Sequence, residues 1–217
     1  VFCDELASKF GTETTAVAMP DLQRGTPILE PWLPTMLSDL ASSALGFPAM
    51  VARIKLYYTP DKIESDLMKL VVPWLQNERS VQTIACVGFC FGGWVVARAL
   101  SIESTPFVAG VGIHPSIQSE SLHSGSVKAL AERIGTKSCL LLPSASDYDC
   151  KANSTFVQTL AAQKGVDAST ISIEFPGMKH GWVSRGDAND IHVAEQQVEA
   201  VRLTVDFLQT NFETAKR

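Results

Sequence analysis

The sequence lacks the patterns that mark several large classes of protein. No basic run occurs and the formal net charge is -5, so the sequence offers no positively charged segment to bind a nucleic acid. No apolar stretch reaches the length of a membrane span. The five cysteines show no Cys-x-x-Cys spacing, which argues against common zinc and redox motifs and is typical of reduced intracellular thiols. These absences predict a cytoplasmic protein that binds neither nucleic acid nor membrane, and no motif requires a metal or another cofactor.

The residues that are present fit one domain. Of the 217 residues, 46% are hydrophobic and 19% are charged, so the chain is long enough for one well-buried core. No internal repeat or second unit is visible. We expect a single domain over residues 1–217, as a monomer or a weak homo-oligomer. Short apolar runs predict strands over residues 15–19, 83–87, 107–113, 138–142 and 171–175.

Two helices are predicted to cover the sheet with apolar faces. The first begins at the cap Thr59 and its apolar face consists of Ile63, Leu67, Leu70, Val71 and Trp74. The second closes the chain, and its apolar face consists of Ile191, Ala194, Val198, Val201, Val205 and Leu208.

One segment has the pattern of a strand, a tight turn and a helix. It is Gly88-Phe89-Cys90-Phe91-Gly92-Gly93, between an apolar run and helix-compatible residues. Glycines two before and two after a central residue are what a nucleophile elbow needs, because the strained turn leaves no room for Cβ atoms. The helix that follows aims its free N–H groups and positive dipole end at the sulfur. These features favour Cys90 as a nucleophile, with the backbone N–H of Phe91 as an oxyanion donor.

Cys90 and its glycines have two alternative interpretations, a buried apolar cysteine and a phosphate-binding loop. A free cysteine is often only a small buried hydrophobe, which is what we expect of Cys86 inside the strand. The glycine run could also hold a phosphate, but no Lys-Ser/Thr follows it and no Gly-x-Gly-x-x-Gly is present. The flanking glycines therefore favour catalysis at Cys90.

The hexapeptide from Gly88 to Gly93 closely resembles the elbow of the dienelactone hydrolase family (carboxymethylenebutenolidases). The resemblance implies an α/β-hydrolase fold, with a mostly parallel sheet flanked by helices, and activity on lactones or esters. In that family a hairpin and a further strand precede the helix that we expect over residues 1–10. We therefore expect a domain that is truncated at its N-terminus and lacks those strands. The second oxyanion donor and a thiol-contacting glutamate would then lie upstream of Val1.

Chain order in this fold, nucleophile then acid then histidine, selects the partners of Cys90. Asp147 follows the predicted strand 138–142 and matches the family's acid position, with Asp149 as its rival. Either aspartate could instead serve only to form a turn. Of the four histidines only His180 fits the order. The sequence thus predicts a triad of Cys90, Asp147 and His180.

Three further residues are candidates for contact with the substrate. His114 follows directly on the predicted strand 107–113, at the edge where α/β sheets bind ligands, although a histidine bonded to a carbonyl is the alternative. Trp182 completes a His-Gly-aromatic segment that resembles the family's. Arg185 resembles a family arginine that contacts a substrate carboxylate, and a surface ion pair is the equal alternative.

Together these residues predict a hydrolase of a small-molecule ester or lactone. Cys90 would attack the carbonyl, His180 would take and return the proton, and Asp147 would fix the imidazole tautomer. A thiolate is also a good leaving group, so activated esters and strained lactones suit it better than amides. The resemblance adds dienelactone-type substrates. Two alternatives stay open: a general carboxylesterase or thioesterase with the same triad, and a non-catalytic relative that binds a ligand or partner.

Overall fold

A parallel sheet lies at the centre of the described part of the chain. The computed structural model describes residues 2–10, 17–20, 22 and 46–216. Within them the strands are β1 (Ile84–Phe89), β2 (Phe107–Ile113) and β3 (Ser138–Leu142), in the order β1-β2-β3. Both strand pairs are parallel. The continuous apolar runs fit a sheet that is covered on both faces, and the three strands predicted here are confirmed.

Residues 171–175 run parallel beside β3 without forming the continuous strand that was predicted. They make two isolated bridges, Leu141 with Ser172 and Ser144 with Phe175. Between these bridges lies Pro143, whose carbonyl accepts from the Phe175 N–H at 2.8 Å but which has no N–H to donate. The missing donor interrupts the ladder.

The predicted strand over residues 15–19 is not supported where the structure describes it. Residues 17–20 are exposed and have no regular secondary structure, while residues 15 and 16 lie outside the described part. No described strand pairs with residues 17–20, so they have no neighbour to complete a ladder.

Helices flank the sheet on both sides. They are α1 (Phe2–Phe10), α2 (Gly46–Tyr57), α3 (Pro60–Asp66), α4 (Val72–Glu78), α5 (Phe91–Ser101), α6 (Ser119–Leu122), α7 (Val127–Ile134), α8 (Thr155–Lys164), α9 (Trp182–Arg185) and α10 (Ile191–Ala215). Short 3-10 turns cover Tyr148–Cys150 and Ala168–Thr170. Among these described helices, none combines the length and the apolar character that a bilayer span needs.

Alternate residues of the strands point into two separate cores. Cys139 and Leu141 of β3 pack in one core with α5, α7 and α8, whereas Leu140 and Leu142 pack in the other with α10. This period of two follows from the pleat of a strand. The sheet therefore separates two cores. Its carboxyl edge is where the loops of an α/β sheet bind ligands.

A π-helical turn over Leu67–Val71 joins α3 to α4 and changes which face of this helix is buried. Ile63 and Leu67 are buried as predicted, but Leu70 and Trp74 are exposed. Val72 and Leu75 are buried in their place. A π turn takes one more residue than an α turn, so the apolar positions after it shift along the chain.

The closing helix α10 packs on the sheet mainly through its central residues. Val201, Val205 and Leu208 are buried as predicted, but Ile191 and Val198 are exposed. The helix has 25 residues and is therefore about 37 Å long. The seven residues of β2 span about 23 Å. The helix is therefore longer than the strand, and its buried residues lie in its central part.

Candidate active site

Cys90 occupies a strained turn between β1 and α5. Its φ is 53° and its ψ is -119°, a backbone conformation that residues with a Cβ rarely adopt. The neighbouring backbone holds it in place: its N–H donates to the carbonyl of Ile113 at 3.1 Å, and its carbonyl accepts from Gly93 at 3.0 Å and Ser116 at 2.9 Å. The predicted strand, turn and helix are confirmed, and the turn presents the side chain at the carboxyl edge of the sheet.

The close packing of this turn explains two of its three glycines. A Cβ on Gly88 would overlap the carbonyl of Gly92, and a Cβ on Gly93 would overlap Pro115. A Cβ on Gly92 would meet nothing within 4 Å. The sequence pattern correctly marked Gly88 but placed the second constraint at Gly92, whereas the structure places it at Gly93 because the loop after β2 packs there.

The thiol of Cys90 is half-buried and has polar neighbours. Its Sγ lies 3.6 Å from the Oγ of Ser116. Burial opposes ionisation, but hydrogen bonding to His180 and Ser116, the charge of His180 and the N–H of Phe91 outweigh it and hold the pKa of Cys90 below its ordinary value. The thiol of Cys90 therefore ionises more readily than an ordinary cysteine.

His180 and Asp147 form a pair beside this thiol. The Nδ1 of His180 lies 2.6 Å from Oδ1 of Asp147, and the other carboxylate oxygen accepts from the N–H of Ser144 at 2.7 Å. Hydrogen bonds to Asp147 and Cys90 raise the pKa of His180 to about 9 against the effect of burial. Burial disfavours the carboxylate, but the bonds from His180 and Ser144 keep the pKa of Asp147 below its ordinary value. The rival Asp149 is exposed.

The loops that carry the pair are tied to each other. The N–H of Ala145 donates to the carbonyl of Met178 at 3.0 Å, which joins the loop after β3 to the loop before α9. Gly181, directly after His180, has a φ of 88°, where glycine is favoured. Residues that are far apart along the chain therefore meet at one edge of the sheet.

Of the three residues predicted to contact substrate, two are buried in the structure. His114 is fully buried, with its ring 5.0 Å from that of His180 in an edge-on contact. Neither of its ring nitrogens has a hydrogen-bond partner among the described residues, so the structure does not show the carbonyl-bonded imidazole that was the alternative. Burial and the charge of His180 lower its pKa to about 4, which keeps it neutral. Trp182 is a core residue whose ring packs on Phe175 at 4.6 Å.

Arg185 is the predicted substrate contact that solvent can reach. Its side chain is exposed and its guanidinium lies close to Gly181, next to His180. No carboxylate in the described part of the chain pairs with it, so the surface ion pair considered from the sequence is absent there. Within the same described residues, no group of three or more His, Cys, Asp and Glu side chains is arranged to hold a metal ion.

A parallel sheet between helical layers, a strained strand–turn–helix elbow after β1 and a histidine–aspartate pair after later strands are features of the α/β-hydrolase class. The chain belongs to the dienelactone hydrolase family, whose model matches residues 33–212. Comparison with curated proteins gives no match, and comparison with solved structures gives none. Family membership makes the chain a hydrolase of the dienelactone hydrolase type that acts on a small molecule.

Proposed function

We propose that the protein hydrolyses carboxylic esters or lactones through a covalent intermediate on Cys90. The observation that carries the proposal is the Cys90 thiol itself: it is half-exposed at a strained elbow, and its pKa is lowered by a histidine that is bonded to a buried aspartate. A cysteine that only filled space would have a raised pKa, as burial gives Cys139, whose pKa is about 12.

The first half of the reaction forms a thioester. The Cys90 thiolate attacks the substrate carbonyl carbon, and the developing oxyanion accepts a hydrogen bond from the N–H of Phe91 at the start of α5. The tetrahedral intermediate then breaks its bond to the alkoxy oxygen. The His180 imidazolium gives that oxygen its proton, so the alcohol of an ester departs neutral, whereas the hydroxyl freed from a lactone stays on the acyl chain of the thioester.

The second half hydrolyses the thioester. Neutral His180 takes a proton from water as the water oxygen attacks the acyl carbon, and the intermediate expels the Cys90 thiolate. The free acid leaves and the imidazolium–thiolate pair is restored. Asp147 is not protonated in either half; it holds Nδ1–H of His180, so that Nε2 is the nitrogen that exchanges protons.

The substrate class follows from the nucleophile and from Arg185. A thiolate is expelled easily from a tetrahedral intermediate, so the leaving oxygen must compete with it, as it does in activated esters and strained lactones. The Arg185 guanidinium lies against Gly181, the residue after His180, without a carboxylate partner among the described residues, and it would bind a carboxylate on the substrate. A lactone that carries a carboxylate, of the dienelactone type, meets both conditions.

The experiment is hydrolysis of a dienelactone and of a small activated aryl ester by the full-length protein. Cys90→Ala and His180→Ala are compared with Cys3→Ala, which removes a half-buried thiol on α1. We expect both site variants to lose several orders of magnitude in rate and Cys3→Ala to match the wild type. Hydrolysis that survives Cys90→Ala would refute the mechanism.

The two substrates also separate the alternatives. Cleavage of the aryl ester alone would indicate a general carboxylesterase or thioesterase with the same triad. Absence of turnover with both substrates, while the Cys90 thiol still reacts with alkylating agents, would indicate a binding protein.

A further inference from the structure

The turn after β2 makes a second contact with the elbow through Ser116. Its N–H donates to the carbonyl of Cys90 at 2.9 Å, and its own carbonyl accepts from the N–H of Ser119 at 3.0 Å. The backbone of Ser116 is thus held on both sides. From this held backbone the hydroxyl reaches the sulfur, at an Oγ–Sγ distance of 3.6 Å.

The hydroxyl of Ser116 has the Cys90 sulfur as its hydrogen-bond partner within the described residues. A thiolate carries no hydrogen and can only accept, whereas a serine hydroxyl can donate one. Once Cys90 is ionised, the Ser116 hydroxyl must therefore be the donor. His180 also forms a hydrogen bond with this sulfur, so the sulfur has one partner that can be charged and one that is neutral. His180 changes its charge during the reaction, and Ser116 does not.

We propose that Ser116 is a positioning residue whose hydroxyl donates a hydrogen bond to the Cys90 thiolate, aiming the sulfur and stabilising its negative charge. The inference rests on the nucleophilic role proposed for Cys90. The Ser116 hydroxyl would donate to the sulfur at two stages. It stabilises the thiolate before the attack on substrate, and it stabilises the thiolate again when the thioester is hydrolysed. The lowered pKa of Cys90, to which Ser116 contributes, agrees with this role.

The test is the pH dependence of Cys90 alkylation by iodoacetamide, followed on the Cys90 peptide by mass spectrometry. Ser116→Ala should move the inflection of the rate upward by about one pH unit, because water replaces only part of a hydrogen bond to a charged group. Its rate on the high-pH plateau should rise about threefold, since a more basic thiolate is more nucleophilic. A merely structural effect would not raise the plateau while moving the inflection.

Two variants control this measurement. Ser116→Thr keeps the hydroxyl and should keep the wild-type inflection. Ser121→Ala removes an exposed hydroxyl on α6 and should change nothing. An unchanged inflection in Ser116→Ala would overturn the inference, and so would an equal shift in Ser116→Thr or Ser121→Ala. Alkylation needs no turnover, so ester hydrolysis together with an unchanged inflection would refute the role of Ser116 alone, not the proposed function.

Discussion

Replacing Asp147 by asparagine keeps the shape of the side chain and reverses the hydrogen bonding of His180. One carboxylate oxygen of Asp147 accepts from the backbone N–H of Ser144 at 2.7 Å, and this buried donor cannot be left unpaired without cost. The carbonyl oxygen of an asparagine must take that place. Its NH2 group then faces Nδ1 of His180 and donates to it. The imidazole is forced to carry its proton on Nε2, so it can no longer accept a proton from Cys90 or water.

The size of the effect follows from the pKa of His180. Its rise from an ordinary 6.5 to about 9 corresponds to about 3 kcal/mol in favour of the imidazolium, and the bond to Asp147 is the largest cause. Without that bond, only the contacts with Cys90 still oppose the effect of burial, so the pKa of His180 should fall and less imidazolium should be present at pH 8. The equivalent change in a serine triad costs about 10⁴-fold in rate. We expect about 10²- to 10³-fold here, because a thiol ionises more readily than a hydroxyl.

The assay is kcat/KM for an activated aryl ester between pH 5 and pH 10, with the His180 ring titration followed by NMR. Asp149→Asn is the matched control, because it makes the same change two residues away at an exposed position. We expect the control to equal the wild type. The reasoning would be refuted if Asp147→Asn stayed within threefold of the wild type, or if Asp149→Asn lost as much activity.

Three further outcomes are expected. Gly93→Ala should lower the free energy of unfolding by more than about 2 kcal/mol in urea denaturation, whereas Gly92→Ala, where a Cβ meets nothing, should change it by less than about 1 kcal/mol. In a Cys90→Ser background the thiolate, which also raises the pKa of His180, is absent. The stabilisation contributed by His180 should then be fully present below pH 6.5 and be lost as the pH rises through a folded pKa between 6.5 and about 9, because the folded pKa lies above the unfolded one; urea denaturation against a His180→Asn reference measures it. Arg185→Gln should raise KM at least tenfold for a lactone with a carboxylate and leave KM for a neutral aryl ester unchanged.

The elbow could be predicted from the sequence because its determinants are local. An apolar run, a dense set of glycines and a helix-forming segment are adjacent in the chain, and they specify a strand, a turn and a helix without help from elsewhere. Chain order likewise pointed to Asp147 and His180 as residues after later strands, and in the structure the two are hydrogen-bonded.

Other features depend on packing between distant segments and left no local signal. The need for glycine at position 93 arises from Pro115, which lies in the loop after β2. Trp182 was a candidate for substrate contact because it completes a His-Gly-aromatic segment, but in the structure its indole is buried against Phe175. The exposure of Leu70 and Trp74 follows from a single π turn, which shifts a helical pattern that periodicity alone reads as continuous.

The central claim is that an acyl group passes through the sulfur of Cys90. The most direct test is to mix the protein with a slowly deacylated aryl ester, quench with acid within milliseconds to seconds, and locate the added mass on peptides. The account predicts a thioester on the Cys90 peptide that accumulates and decays at the rate of turnover and is absent from Cys90→Ala. An acyl group on another residue, or turnover with the Cys90 peptide unmodified at every time, would contradict it.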